Sequence, residues 1–307
     1  MEHVPNKRSL LLLGSTGFLG SSILNILKSE HLSDLDVLIS HSSPFNDFSL
    51  FTLLNPNFTD GDTFNTSNLA SILNLDLVVI NCAASRNSRD EDLSEEGNFT
   101  FPKIVLDTLM AIHGIRIKWI QIETFWQYSN ASTPDESYVL WKNRFGNLLT
   151  ESSDHRNLLV DKLVLPHLIG PFDNSLRFLP RLFSSMLAGE ILQVNSPDEV
   201  FCLADVRDVA HYLVSILTNS QSKLDLSGAL FPSIEIQLRD IVHLFKEISG
   251  SVSQIQFIET QENSNPVLNF NEQPPLLNSD LLSLRGLDSS FSDIARWLSG
   301  LRHIDNL

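Results

Sequence analysis

The residues best suited to chemistry are Tyr138 and Lys142, with Thr124 upstream of them. Tyr138 and Lys142 are four positions apart, so a helix sets them one turn apart on the same face. A phenol, with an ordinary pKa of about 10, is a poor acid or base at neutral pH. An ammonium beside it favours the phenolate and brings proton transfer within reach. Thr124 follows Lys118–Ile122, a stretch that reads as a strand. Residues just past strand C-termini line the ligand crevice of a parallel sheet, so the Thr124 hydroxyl can hold a carbonyl oxygen beside the phenol. The chemistry implied is acid–base work on an oxygen: Thr124 orients, Tyr138 transfers the proton and Lys142 tunes it.

Such residues need a scaffold, and its start is explicit. The apolar run Leu10–Leu13 leads straight into Gly14-Ser15-Thr16-Gly17-Phe18-Leu19-Gly20. Ser21–Lys28 follows, with helical apolar spacing at Ile23, Leu24, Ile26 and Leu27. A strand, a glycine turn and a helix in this order bring the backbone close to a pyrophosphate and aim the helix N-terminus at it. Further strands are expected at Asp36–Ser40, Asp76–Ala83 and Leu158–Leu165, beside Ser9–Leu13 and Lys118–Ile122. Helices are expected at Ser21–Ser29, Asn98–His113, Tyr138–Glu151, Leu179–Ala188 and Val206–Leu217, and later at Gln237–Ser249 and Ser290–Leu298. Apolar strands alternating with helices define an α/β fold, a Rossmann-type doubly wound parallel sheet. Past Gly170 the pattern loosens, and Asn263–Leu277, with three prolines, reads as irregular chain. The expected organisation is a dinucleotide-binding domain over 1–170 and a small C-terminal substrate lobe over 171–307. Residues 201–230 are expected to return to the first domain.

Composition narrows the function. With 21 basic and 37 acidic residues the net charge is −16, which argues against nucleic acid as a partner. No apolar run has the length of a membrane span, and the polar Met1–Lys7 is no signal peptide, so a soluble cytoplasmic protein is expected. Two cysteines, Cys82 and Cys202, make neither a disulfide framework nor a metal site. Cys82, in an apolar run, reads as a small core residue. The second strand ends in Ser40-His41-Ser42-Ser43, without the carboxylate that would hold a ribose diol and repel a 2′-phosphate. NADP(H) is therefore favoured over NAD(H), with Ser40, His41 and Ser42 as phosphate donors. The alternative is a polar loop without a role.

Taken in order, Gly14-x-x-Gly17-x-x-Gly20, Gly61-Asp62, Asn81-Cys82-Ala83-Ala84, Asn98, Thr124, Tyr138-x-x-x-Lys142 and Gly170-Pro171 resemble an extended short-chain dehydrogenase/reductase of the NAD-dependent epimerase/dehydratase family. Glu123-Thr124-Phe125-Trp126, Tyr138–Phe145 and Leu165–Pro171 resemble more narrowly the branch that includes CDP-abequose and CDP-paratose synthases, which reduce a 4-keto sugar with NADPH. The resemblance implies roles for further residues. Gly14, Ser15, Thr16, Gly17, Phe18, Leu19 and Gly20 would cradle the pyrophosphate. Asp62 would meet the adenine, unless it is a plain turn residue. Cys82, Ala83 and Ala84 would border the adenosine ribose, Asn98 would steady the strand ends, and Lys142 would also bind the nicotinamide ribose. Pro166 and His167 would lie near the nicotinamide, with a structural role as the alternative for His167.

Ser85 and Phe125 would face the substrate. Phe201 stands where many nucleotide-sugar members carry an arginine for the substrate pyrophosphate, so either Arg177 or Arg181 replaces it or the substrate is not a nucleotide sugar. The expected activity is NADPH-dependent reduction of a keto group on a nucleotide-activated deoxysugar. The alternatives are a nucleotide-sugar epimerase with tightly held NAD and a non-catalytic cofactor-sensing or scaffold protein. A homodimer is expected through Asn98–His113 and Tyr138–Glu151, with Val105, Leu106, Leu109, Leu140, Phe145 and Leu149 as contacts.

Overall fold

Leu10–Leu13 are all fully buried, so the strand that carries them is covered on both faces and must be central. In the computed structural model this strand, β1 (Arg8–Leu13), lies between β2 (Leu35–Ser40) and β5 (Asp76–Asn81) and runs parallel to both. The structure describes residues 8–30, 35–40, 50–53, 63–65, 76–85, 91–129, 136–218, 227–259, 274–277 and 284–305. Beyond β5 come β6 (Arg116–Thr124), β7 (Leu158–Leu165) and β11 (Ser227–Leu230), again parallel. The six parallel strands run in the order β11-β7-β6-β5-β1-β2, and β3 (Leu50–Leu53) and β4 (Thr63–Asn65) extend the β2 edge in antiparallel fashion.

The expected strands and helices occur, with shifted ends. The segment expected as Asn98–His113 begins at Glu91 and passes through a π-helical turn at Glu96–Thr100. It continues as Phe101–Met110, and Gly114 then turns with φ 82°. Within the π turn, a Cβ on Gly97 would sit 2.7 Å from the Ser85 Cβ, so this turn presses on the chain leaving β5. The Phe101–Met110 and Glu136–Ser152 helices bury their apolar stripes in one core with Leu11, Leu13, Val79, Ile117 and Trp119. This corrects the expected dimer contacts: Val105, Leu106, Leu109, Phe145 and Leu149 belong to that internal core. Of the expected six only Leu140, 43% exposed, faces outward.

The chain divides into two compact units, one of residues 1–128, 132–165 and 210–230, the other of 129–131, 166–209 and 231–307. The expected break after residue 170 thus meets one after Leu165, and the return expected from residue 201 starts at Ala210. In the second unit, β8 (His167–Ile169) and β12 (Ile234–Gln237) flank β10 (Val200–Asp205), the first parallel and the second antiparallel. β9 (Leu192–Asn195) pairs with β13 (Ile255–Ile258). The helices Phe178–Leu187, Leu238–Ser249 and Leu287–Asp305 close on a core where Phe183 stacks on Phe245 at 3.9 Å and meets Phe291 edge-on at 5.3 Å. Most of the Asn263–Leu277 stretch lies outside the described residues. Among the described residues, no helix is long and apolar enough to cross a membrane.

Candidate active site

The glycine turn is built as its spacing implies. Gly14 has φ 75°, and a Cβ there would come within 2.7 Å of the Ala83 nitrogen. A Cβ on Gly20 would lie 2.2 Å from the Gly14 carbonyl oxygen, so only glycine lets helix and turn pack this closely. The Gly17 N–H donates to that same oxygen at 3.0 Å, and the Phe18–Glu30 helix starts at the next residue. Thr16 and Gly17 are exposed at the helix N-terminus, whereas Ser15, Leu19 and Gly20 are buried under it. Bare backbone, a helix N-terminus and no room for side chains fit a dinucleotide pyrophosphate. Cys82 and Ala83 border the turn, with the Cys82 N–H donating to the Leu13 oxygen at 3.0 Å. Cys82 is half-buried beyond the end of β5, not a core residue as expected; burial pushes its thiol up to about 12.

Ser40 ends β2 beneath the turn. It is 5% exposed, and its Oγ accepts from the Gly14 N–H at 3.2 Å. Its carbonyl oxygen accepts from the Ser15 hydroxyl at 3.3 Å, so the turn itself engages Ser40. His41, Ser42, Ser43, Gly61 and Asp62 lie outside the described residues.

Thr124 is the last residue of β6 and caps a short 3₁₀ turn, Phe125–Gln127. Its N–H donates to Gln127 Oε1 at 3.0 Å, and Gln127 Nε2 donates to Asn143 Oδ1 at 3.0 Å. Gln127 therefore ties the strand end to the Glu136–Ser152 helix, which carries Tyr138 and Lys142. Both of those side chains are buried, and Lys142 Nζ lies 5.6 Å from the Tyr138 ring centre. Lys142 Nζ donates to the Ile122 carbonyl oxygen at 2.9 Å, anchoring the helix to β6. Burial lowers the Lys142 ammonium from its ordinary 10.5 to about 8, against the opposing pull of Glu123. Phe125 is only 2% exposed and packs against Trp126 with the rings tilted by 35°, so its expected place against the substrate falls on a ring the protein has already enclosed.

Two polar residues of β6, Gln121 and Glu123, received no role from the sequence reading. Side chains alternate along a strand, and one face of β6 carries Ile117, Trp119, Gln121 and Glu123. Ile117 and Trp119 are core, whereas Gln121 and Glu123 make the same face polar toward the strand's C-terminus. Gln121 Oε1 accepts from Asn81 Nδ2 at 2.9 Å and from Trp119 Nε1 at 3.2 Å, while Asn81 Oδ1 accepts from the Ala83 N–H at 3.1 Å. Asn98, 3% exposed, donates to the Ser85 and Ser94 carbonyl oxygens, each at 2.7 Å. It thereby pins Ser85 at the exit of β5, leaving its own Oδ1 buried without a hydrogen bond. Ala84 remains exposed beside it. The signal for Glu123 was available: it is a carboxylate in phase with Trp119 on a buried face.

Pro166, His167, Arg177 and Arg181 all belong to the second unit. The His167 ring lies 5.1 Å from Phe201, which is itself buried on β10 and stacked on Phe178, so Phe201 is a core residue of this unit. Arg177 Nη1 donates to both oxygens of the buried Asp173, at 2.9 and 3.1 Å, so its charge is already matched. The Arg181 side chain is exposed and has no ion-pair partner among the described residues. Arg207 donates to both oxygens of Asp205, at 2.9 and 2.6 Å, and to Asp293 at 2.6 Å.

The fold and the first unit's residues define a dinucleotide-binding enzyme of the extended short-chain dehydrogenase/reductase type. The family profile described as NAD dependent epimerase/dehydratase matches residues 10–226, and the chain belongs to this family of NAD(P)-dependent enzymes. No curated protein sequence matches it. Among solved structures, it is similar to a UDP-glucuronic acid 4-epimerase from Bacillus cereus in complex with UDP-glucuronic acid and NAD, with TM-score 0.70 and 18% identity over 95% of this chain and 99% of that one. A GDP-L-fucose synthetase from Naegleria fowleri bound to NADP gives 0.68 at 13% identity, over 97% and 94%. RMD from Pseudomonas aeruginosa complexed with NADPH gives 0.69 at 16%, over 96% and 99%.

Proposed function

We propose that the protein reduces a keto group, at C4, on a nucleotide-activated deoxysugar. The observation that carries this reading is the first unit itself: a glycine cradle that admits a pyrophosphate, and Thr124, Tyr138 and Lys142 set on one strand end and one helix. Neighbouring folds with nucleotide-sugar names support the substrate class. Bound NADPH would supply a hydride to the carbonyl carbon. Tyr138 gives its phenolic proton to the carbonyl oxygen as the C–O double bond becomes a single bond. Lys142, buried against the Tyr138 ring, stabilises the phenolate that this leaves. Thr124 holds the oxygen in line, and its own position is fixed by Gln127 and Asn143. A proton donor placed in this way contributes roughly 10²–10⁴-fold.

A second reading, an epimerase that keeps NAD, is favoured by one observation. Ser40 Oγ is buried and accepts from Gly14, which turns it from a 2′-phosphate toward the cradle. The two readings separate on what the purified protein holds. Mass spectrometry of the released ligand that finds NAD retained through purification favours the epimerase. Uptake of NADPH by an empty site, with tighter binding than NADH by titration calorimetry, favours the reductase. A homodimer through the exposed Ile104 and Leu140 goes with either reading. A monomeric mass by light scattering at micromolar concentration would remove it.

A further inference from the structure

A buried carboxylate is costly unless its charge is used, and Glu123 is only 3% exposed. It stands directly before Thr124, on the face of β6 that meets the Glu136–Ser152 helix. Tyr128 donates its hydroxyl proton to Glu123 Oε2. Burial and the Glu123 charge together push the Tyr128 phenol up, so Tyr128 stays a neutral donor. Lys162 Nζ lies 3.5 Å from Glu123 Oε1, a loose ion pair. That ammonium makes its closer contacts elsewhere, with the Gly146 oxygen and Thr150 Oγ1, both at 3.1 Å. Gly146 completes the arrangement. A Cβ there would come within 3.0 Å of Glu123 Oε1, so glycine lets the carboxylate seat against the helix one turn beyond Lys142.

We propose that Glu123 is a positioning residue that acts through Lys142, as the fixed counter-charge that keeps its ammonium charged inside the fold. The groups around Lys142 leave no other candidate among the described residues. Tyr138 shares its helix and is the group to be tuned. Cys82 approaches from the end of β5, but its thiol is held protonated by burial. Lys162 and Tyr128 face Glu123, and neither is negative. The only standing negative charge in the cluster is therefore on Glu123, and it opposes the desolvation that lowers Lys142. The inference rests on the reading that Lys142 serves Tyr138, but its test does not need turnover.

The test uses the full chain with ¹³Cε-labelled lysine, the Lys142 signal being the one lost in Lys142→Arg. Its NMR titration midpoint should lie near 8 in the parent. Glu123→Gln keeps the size and an acceptor for Tyr128 while removing the charge, and should lower the midpoint by about one pH unit or more. Lys162→Gln removes the cation that competes for Glu123 and should raise it. An unchanged midpoint in Glu123→Gln overturns the proposal. If that variant does not fold, Glu123→Asp, which draws the carboxylate back by one methylene, decides alone: a lower midpoint supports the counter-charge and no change refutes it. Should the midpoints move as expected while no protein reduces a keto sugar, the proposed function falls and the role of Glu123 stands. With turnover, the basic limb of the rate profile should shift in parallel with the midpoint.

Discussion

The two units bury charge in opposite ways. In the second unit three arginines are matched by carboxylates: Arg207 by Asp205 and Asp293, Arg285 by Asp208, Arg177 by Asp173. Their bonds are short, with Arg207 bidentate on Asp205, and they raise the arginine or lower the carboxylate, as at Arg207, Asp205 and Asp293. In the first unit Lys142 is buried as deeply as Asp205, yet it holds one carbonyl bond and a nearby aromatic ring, and its ammonium is lowered. Matched charges define a structure and resist titration. An under-matched charge costs stability, and its partial freedom makes it useful beside a reacting phenol.

The comparison breaks most easily at Arg207. Arg207→Ala would leave Asp205, whose side chain is fully enclosed, with only the Ser290 hydroxyl and the residue-207 backbone N–H and no counter-charge, and should cost about 3–5 kcal/mol in denaturant unfolding. A loss below about 1 kcal/mol would mean the network is incidental.

The opposite sign is expected at Lys142. Lys142→Met removes an under-matched charge and should raise stability by about 2 kcal/mol at neutral pH while abolishing activity. The folded-state value, about 8, lies below the ordinary 10.5, so between those pH values the unfolded chain binds more protons than the folded one. The parent's penalty is complete below pH 8 and relieved toward 10.5, so the variant's advantage should shrink across that window. An advantage that does not change with pH would contradict the assignment.

The smallest effect on stability belongs to Arg181, which has no ion-pair partner among the described residues. Arg181→Ala should change stability by less than about 0.5 kcal/mol. If Arg181 grips the substrate diphosphate, the variant should raise KM far more than it lowers kcat. Arg177→Ala should instead lower stability first, by stranding Asp173.

These differences explain what could be read from the sequence. All but β11 of the parallel strands of the first unit have six residues or more and are largely apolar, and Gly14, Gly17 and Gly20 announce their turn by spacing alone. Thr124, Tyr138 and Lys142 were legible because strand ends and helical turns convert sequence distance into position. The second unit was opaque because β8, β9, β12 and β13 are three or four residues long, too short for a period to show. Arg207 gave no local sign either, since one of its partners, Asp293, lies far along the chain. Glu123 sat between the two cases. Its phase with Trp119 marked it as buried, but Tyr128, Lys162 and Gly146 meet it only in the folded chain.

The central claim is that Tyr138 supplies the proton at a dinucleotide-bound carbonyl. The most direct measurement is single-turnover oxidation of bound NADPH with a 4-keto nucleotide sugar, comparing the parent with Tyr138→Phe. That variant removes one hydroxyl from a side chain that is otherwise buried and packed. The account predicts unchanged NADPH affinity and a rate lowered by roughly 10²–10⁴-fold. Near-parental oxidation of NADPH by Tyr138→Phe would contradict it.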